Sequence, residues 1–447
     1  MSLLSRREFV RKTGAKTAAL LGSAPLLLKA SPFRSSPNDT IQVAVMGIRS
    51  RGAAHASTLA KLPNVNVAAL CDIDESLFAK AVANVEKICG KRPKAETDIR
   101  RVLDNKEIDA ITIAAPNHWH ALAGIWACQA GKHVYVEKPV SYNISEGRKL
   151  VEASRKYDRI VQTGTQNRTS PLVQSAMDFL HAGKLGKIYM VKCVVFRPRE
   201  SLGRKGNSAV PAGVHYDLWV GPSPWQPFNE NRFHYNWHWF WATGNGETGN
   251  NGPHYTDMAR WALQKYEHPR RIQSMGGYDV FDCDQETPNN QMSMMEYADG
   301  TRVQLEVRGL YTNGEDGIRM GMLIYGSEGW MHLGDSQWKT YFGRKNEPGE
   351  QRSDKGDEHA ADVTATEDGA HFWNFVEAVR ANKREILKAD ILEGHLSAAM
   401  CHLSNIAYRT GRQVVFDSSN ECFLGDAEAN GFLTREYRYP FVVPEKV

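Results

Sequence analysis

Two glycines and an aspartate are the first residues in this chain whose spacing suggests chemistry. Gly47-Ile48-Arg49-Ser50-Arg51-Gly52 follows one apolar run, and Asp72, twenty residues past Gly52, closes the next. A glycine at the tight turn, a glycine where helix meets strand and an acid for ribose hydroxyls are the parts of a dinucleotide-binding turn. Arg49 stands where a second glycine usually brings backbone to the pyrophosphate. A guanidinium there can pair with the pyrophosphate, and the following helix still offers its first N–H groups. Asp72 and Asp74, with no arginine close by, would repel a 2′-phosphate, so NAD is expected and NADP is disfavoured.

Other reactive side chains cluster further on. Asn117, His118 and His120 follow a third apolar run, and Lys138 follows a fourth, immediately before Pro139, which fixes the turn. "FHYNWHWFW" (233–241) puts Trp237, Trp239 and Trp241 on one face if it is extended, either to stack on a sugar or to fill core. Tyr235 and His238 are its polar members best suited to reach a substrate. The loop "RPRESLGRKGN" (197–207) holds Arg197, Arg199 and Arg204, which either read an anion or are simply solvated. His234, His238 and His254 lack zinc-site spacing, so no metal is expected.

These residues need a scaffold, and the chain supplies one. "IQVAVMG" (41–47), "VNVAALCDID" (65–74), "IDAITIAAP" (108–116) and "HVYVEKP" (133–139) read as buried strands alternating with helical patterns. That alternation predicts an α/β fold beginning with a doubly wound parallel sheet, whose ligands bind beyond the strand ends. Downstream, "KIYMVKCVVF" (187–196), "RIQSMGGYDVF" (271–281), "QMSMMEYA" (291–298), "RVQLEVRG" and "RMGMLIYG" are strand-like runs joined by turns such as Ala298-Asp299-Gly300.

Composition narrows the class. The first thirty residues hold six of the 55 Lys+Arg and one of the 51 Asp+Glu, leaving 49 against 50. A near-neutral remainder gives no reason to expect a nucleic-acid or membrane partner. Seven scattered cysteines without a CxxC are no disulfide framework. Residues 1–30 combine Arg6-Arg7, a short apolar segment from Thr17 to Leu28 and a small-residue exit near Ala30. They resemble a twin-arginine signal, which sends folded proteins through a wide translocon, so a periplasmic or otherwise exported protein without a transmembrane span is expected. Export after folding suits a cofactor loaded in the cytoplasm. The expected division is a signal over 1–30, a linker over 31–39, a dinucleotide domain over 40–165 and a substrate and oligomerisation domain over 166–447.

"APNHWHA" (115–121) and "VYVEKPVS" (134–141) resemble signatures of the glucose–fructose oxidoreductase, inositol dehydrogenase and rhizopine-catabolism family (Gfo/Idh/MocA). "GNNGPHYTDMARWAL" (249–263), "YGSEGWMHL" and "HLSNIAYRTGR" resemble its later motifs, so the similarity runs from about residue 40 to 440. The resemblance implies an N-terminal Rossmann domain, then an α/β domain with a large open, mostly antiparallel sheet; an exposed face of such a sheet needs covering, so a homo-oligomer, a dimer or tetramer, is expected through it. It implies that Lys138 lies between nicotinamide and sugar, stabilising a developing alkoxide, and that His254 is the general base. Gly47, Ile48, Arg49, Arg51, Gly52, Asp72, Pro116, Asn117, His120, Glu137 and Lys138 are then expected around the cofactor. Gln166, Tyr235, Trp237, His238, Asn250, His254 and Asp257 are expected around the substrate, with Asp257 holding the His254 ring or capping its turn. Many family members carry aspartate where Asn250 stands, and an amide cannot raise the histidine's proton affinity. The implied activity is NAD-dependent hydride transfer on a sugar, sugar derivative or cyclitol. Glycoside cleavage through transient C3 oxidation and elimination is the alternative, and a non-catalytic sugar-binding protein a second one.

Overall fold

The computed structural model describes residues 40–354 and 362–447; the expected signal and linker lie outside them. Six strands form the first sheet: β1 (Ile41–Met46), β2 (Val65–Cys71), β3 (Lys94–Glu96), β4 (Ala110–Ile113), β5 (His133–Val136) and β6 (Val161–Thr163). Their order is β3-β2-β1-β4-β5-β6, and every pairing is parallel. The order reverses between β1 and β4, which opens the crevice where such sheets take ligands. Val43, Val45, Ile111 and Val134 are fully buried because helices cover both faces. β3 has no apolar run and spans three residues, so the sequence pattern passed over it. The helical segment after β2 starts as a 3₁₀ turn capped by Asp74, continues as Phe78–Cys89 and stops at Gly90, whose φ is 72°.

The distant end of the chain returns to this sheet. Phe372, Phe375 and Val376 of helix Glu367–Ala381 join the core of β1 and helix Ser50–Lys61. On the opposite face Ile391 and Ala398 of helix Ile391–Thr410 pack with Phe441 and Val443 beside helices Asn117–Gln129 and Ile144–Lys156. A division at residue 165 therefore describes the chain order but not the packing: residues beyond 366 complete the first layer.

The second sheet has ten strands: β7 (Ile188–Phe196), β8 (Arg271–Gly277), β9 (Asn290–Glu296), β10 (Arg302–Arg308), β11 (Met320–Gly326), β12 (Gly329–Gly334), β13 (Gln337–Phe342), β14 (Glu347–Ser353), β15 (Val414–Asp417) and β16 (Cys422–Phe423). The order is β14-β13-β12-β11-β7-β10-β9-β8-β15-β16, antiparallel throughout except between β7 and β10. The Ala298-Asp299-Gly300 turn joins β9 to β10, with Gly300 N donating to Tyr297 O and Asp299 Oδ1 accepting from Thr301 N. Period-2 alternation sends Met295, Val303 and Leu305 into the core with helices Gly252–Leu263 and Ile391–Thr410. The same alternation leaves Met275, Met292 and Met294 on the outer face, 71%, 50% and 37% exposed. Among the described residues no helix is long and apolar enough to cross a membrane.

Candidate active site

The loop after β1 is built around its two glycines. Gly47 has φ +79°, and a Cβ there would lie 2.7 Å from Ala114 O; a Cβ on Gly52 would lie 1.5 Å from Gly47 O. Neither position admits another residue without moving backbone. Arg49, by contrast, is extended at φ −84° and ψ 161°, so the missing middle glycine costs no strain. Helix Ser50–Lys61 begins with no side-chain cap and no acid in its first turn, and its leading residues Ser50 and Arg51 line the cleft. Asp72 pins the loop from the end of β2: Oδ2 accepts from Ile48 N (2.7 Å) and Oδ1 from Asp74 N (3.1 Å). Burial pushes its carboxyl up. Two obligate glycines, an uncapped helix start and an acid on the neighbouring strand fit a dinucleotide.

The expected cofactor residues divide in two. Gly47, Arg49, Arg51, Asp72, Pro116, His120, Glu137 and Lys138 line one cavity of about 2540 Å³, while Ile48, Gly52 and Asn117 support its wall. Asn117 is a correction: its amide is buried and donates to Asn245 Oδ1 (2.5 Å), because helix Asn117–Gln129 turns that side chain into the second layer. The His120 ring nitrogens lie 2.6 Å from Pro139 O and 2.7 Å from Ala115 O, which ties the exits of β4 and β5 together. Burial pushes His118 down to about 3, with its Nε2 against Trp219 O at 2.9 Å.

At the other end Lys138 leaves β5 and donates from Nζ to Asn250 O (2.7 Å). Burial lowers its proton affinity while Glu137 raises it. Glu137 would itself be raised by burial, yet Arg51 and His55, at 2.8 and 2.9 Å, hold it well below the usual carboxylate range. Arg51 continues to Asp368 through two bonds of 2.7 and 2.8 Å. Gln166 lines the cavity beside the Tyr135 hydroxyl, 3.1 Å away.

His254 lies in the first turn of helix Gly252–Leu263, where Pro253 starts the helix, and its ring lines the cavity. Its Nδ1 is buried without a partner, and burial followed by the Lys138 charge pushes the ring down to about 3. Asn250 lines the cavity and gives Lys138 its carbonyl. Asp257 is a second correction. Three residues past His254 it turns away from the cavity, fully buried, to accept from Arg168 (2.8 and 2.9 Å) and Ser397 Oγ (2.8 Å). Without it the buried Arg168 guanidinium would keep only Glu393, at 3.0 Å, as an acidic partner.

The aromatic segment is not extended. His234–Trp239 is a 3₁₀ turn that brings Trp237 and His238 side by side, rings stacked 3.6 Å apart, into the cavity with His234 and Tyr235. Trp239 and Trp241 therefore leave that face; Trp239 packs beneath Arg199 and Trp241 beneath Arg409. His238 Nδ1 lies 2.5 Å from Tyr235 O, and burial pushes the ring down to about 3. Arg199 pairs with Glu247 (2.7 Å) and Arg204 with Asp282, while Arg197 lines the cavity.

Sequence reasoning missed the wall contributed by Thr364, Thr366 and Asp368, of which Asp368 meets Arg51 from 317 residues away. No local signal marks such a contact. The one group of three possible metal ligands among the described residues, His268, His395 and Glu421, lies outside the cavity. Its carboxylate already accepts from Arg148 and sits 2.8 Å from each imidazole.

Comparison with known proteins agrees with this geometry. The model of an oxidoreductase family's NAD-binding Rossmann fold matches residues 41–165, and that family's C-terminal alpha/beta domain matches residues 200–331 and 352–443. A glycosyl hydrolase family 109 protein of Shewanella sp. strain ANA-3 is 27% identical over 175 residues, 35% of this chain and 38% of that protein. An alpha-N-acetylgalactosaminidase of Shewanella oneidensis is 27% identical over 177 residues, with the same coverage. The chain thus matches 38% of the length of these curated relatives. Among solved structures, the WlbA dehydrogenase of Bordetella pertussis in complex with NADH and UDP-GlcNAcA superposes with a TM-score of 0.61 at 18% identity, covering 85% of this chain and 99% of that one. Levoglucosan dehydrogenase in complex with NADH and levoglucosan gives 0.64 at 17% identity, covering 84% and 99%. At such identities the likeness is one of fold.

Proposed function

The chain belongs to the Gfo/Idh/MocA family of NAD-dependent oxidoreductases, and from that premise we propose that it oxidises a secondary carbinol of a sugar, sugar derivative or cyclitol while keeping its NAD bound. Lys138 and His254 line the same cavity as Gly47 and Asp72, and this convergence carries the reading. Gly47, Arg49 and Asp72 would hold the dinucleotide, which when bound supplies a hydride acceptor. An ammonium has three donors; Lys138 spends one on Asn250 O and keeps the others for a carbinol oxygen as it gains negative charge. His254, neutral because it is buried, takes the hydroxyl proton. With no carboxylate on Nδ1 it holds that proton weakly and passes it to the carbonyl oxygen of a second sugar substrate, whose carbon takes the hydride back and resets the bound cofactor. Trp237 offers the sugar an apolar face.

The test begins with what copurifies. Mass spectrometry of native protein should find NAD, and adding substrate from a sugar and cyclitol panel should raise the reduced-nicotinamide absorbance. Protein free of adenine that binds no added nucleotide would overturn the proposal.

Glycoside cleavage is the second reading, favoured by the glycosyl hydrolase relatives and by Asn250. Oxidation at C3 acidifies the C2 proton, a base removes it as the glycosidic bond breaks, and the hydride then returns to C3. His238 is a second neutral imidazole in the cavity suited to the C2 proton. Nitrophenol release from nitrophenyl glycosides without net change in bound NAD supports this chemistry; silence across a full panel removes it.

Export through the twin-arginine translocon and a homo-oligomer formed through the open sheet face complete the proposal. Exposed Met275, Met292 and Met294 support the second. Cell fractionation of the Arg6→Lys, Arg7→Lys double variant tests the first, and light scattering tests the second.

A further inference from the structure

The basic loop after β7 keeps one arginine unspent. Arg199 is neutralised by Glu247 (2.7 Å), Arg204 by Asp282 and Lys205 by Glu230 (2.6 Å). Arg197 makes no side-chain hydrogen bond or ion pair with any described residue, and its side chain lines the cavity. Asp335 lines the same cavity and is not paired with it.

Its position is fixed by backbone. Arg197 N donates to Arg308 O (3.0 Å) and Arg199 N to Gly309 O (2.7 Å), so the residue extends the β7–β10 ladder with Pro198 stiffening the turn. A guanidinium carried by ladder backbone is presented in one place, unlike one on a free loop. That place is the reacting end of the cleft: four residues earlier on the same strand Cys193 Sγ donates to Tyr255 O (3.5 Å), the residue next to His254, and Arg197 lines the cavity with Lys138 and His254. The nucleotide end has its own cation in Arg49. Two roles are thereby separated, a cation for the pyrophosphate and a cation for whatever occupies the substrate side.

We propose that Arg197 is the receptor for an anionic substituent, a carboxylate or a phosphate, on the sugar substrate. This rests on the sugar-oxidoreductase reading and names the substrate class within it. A planar guanidinium forms two parallel bonds to such a group, which discriminates charged from neutral sugars far better than an ammonium does. Trp237 and His238 then take the ring, and Lys138 the carbinol.

The experiment titrates dinucleotide-loaded enzyme with matched trios of hexose, hexuronate and hexose 6-phosphate in the gluco, galacto and manno series. Tryptophan fluorescence reads binding, and reduced-nicotinamide absorbance reads turnover. At least one acidic sugar should bind tenfold or more tightly than its neutral counterpart, and the better of carboxylate and phosphate identifies the anion. Arg197→Ala should erase that ratio while bound dinucleotide is retained, and Arg197→Lys should restore part of it. Equal affinity for neutral and acidic sugars, or a ratio that survives Arg197→Ala, overturns the assignment. Selective binding of acidic sugars without any change in nicotinamide absorbance upholds Arg197 and sinks the redox reading instead.

Discussion

Lys138 and His254 differ in how the fold treats their charge. Burial lowers the proton affinity of both, but the Glu137 carboxylate opposes that lowering at Lys138, whereas the Lys138 charge adds to it at His254, which is neutral. Removing the ammonium should therefore slow turnover on the order of 100-fold to 1000-fold, as losing one donor to a developing oxyanion does. His254→Ala should cost on the order of 100-fold to 10,000-fold, the range for a general base. Both variants should retain NAD, measured by the adenine that copurifies; loss of the nucleotide would move either residue to the binding loop. Since His254 is already neutral above about pH 4, its titration should leave turnover flat between pH 5 and 8, and a limb near 6.5 from this residue would contradict the buried environment. Gly52→Ala has another outcome. Its Cβ meets Gly47 O at 1.5 Å, so the loop must open, and bound NAD should be lost while helical circular dichroism stays near native.

At the scale of elements, the telling feature is that helix Glu367–Ala381 belongs by packing to the first sheet. Its amphipathic face buries Phe372, Phe375 and Val376 completely, and its first turn delivers Asp368 to Arg51. Phe375→Ala should destabilise the protein by about 3–5 kcal/mol, the range for an aromatic removed from a closed core. Urea unfolding would show it as a lower midpoint at unchanged slope. A loss under 1 kcal/mol would mean that the helix is dispensable to the sheet. The 3₁₀ turn His234–Trp239 is the complementary case. Successive side chains of such a turn lie about 120° apart, which lets the Trp237 and His238 rings stack, where a strand would have pointed them to opposite faces.

The whole molecule carries an acid liability. His118, His238, His254 and His402 are pushed to about 3, and His133, His371 and His395 to about 4, each mainly by burial. Each binds a proton more readily unfolded, near 6.5, than folded. The stability they contribute is present above pH 6.5 and is lost as pH falls toward 4, with a limiting slope of about 1.4 kcal/mol per pH unit per group. The thermal midpoint should drop steeply from pH 6.5 to 5; a flat profile would mean that these rings are hydrated. Glu137, held low by its cations, adds to the same trend at lower pH.

What could be read from the chain alone was whatever repeats locally or obeys short-range sterics. β1, β2, β4 and β5 announced themselves as apolar runs, and Gly47 and Gly52 by a spacing that backbone collision enforces. Lys138 was legible because Pro139 and a strand end fix it, and the outer face of the second sheet because side chains alternate with period two. Contacts between residues far apart in the chain left no such trace. Spacing alone puts Asp257 and Asn117 at the cavity, whereas Arg168 and Ser397 claim the first and Asn245 the second. Arg197 looked no different in sequence from Arg199 and Arg204, and only the third dimension decided which of the three had no acid to meet. Sequence spacing sets which groups can share a turn or a strand face. Which buried charge finds which partner is settled by packing, since desolvation penalises every pairing the fold leaves incomplete.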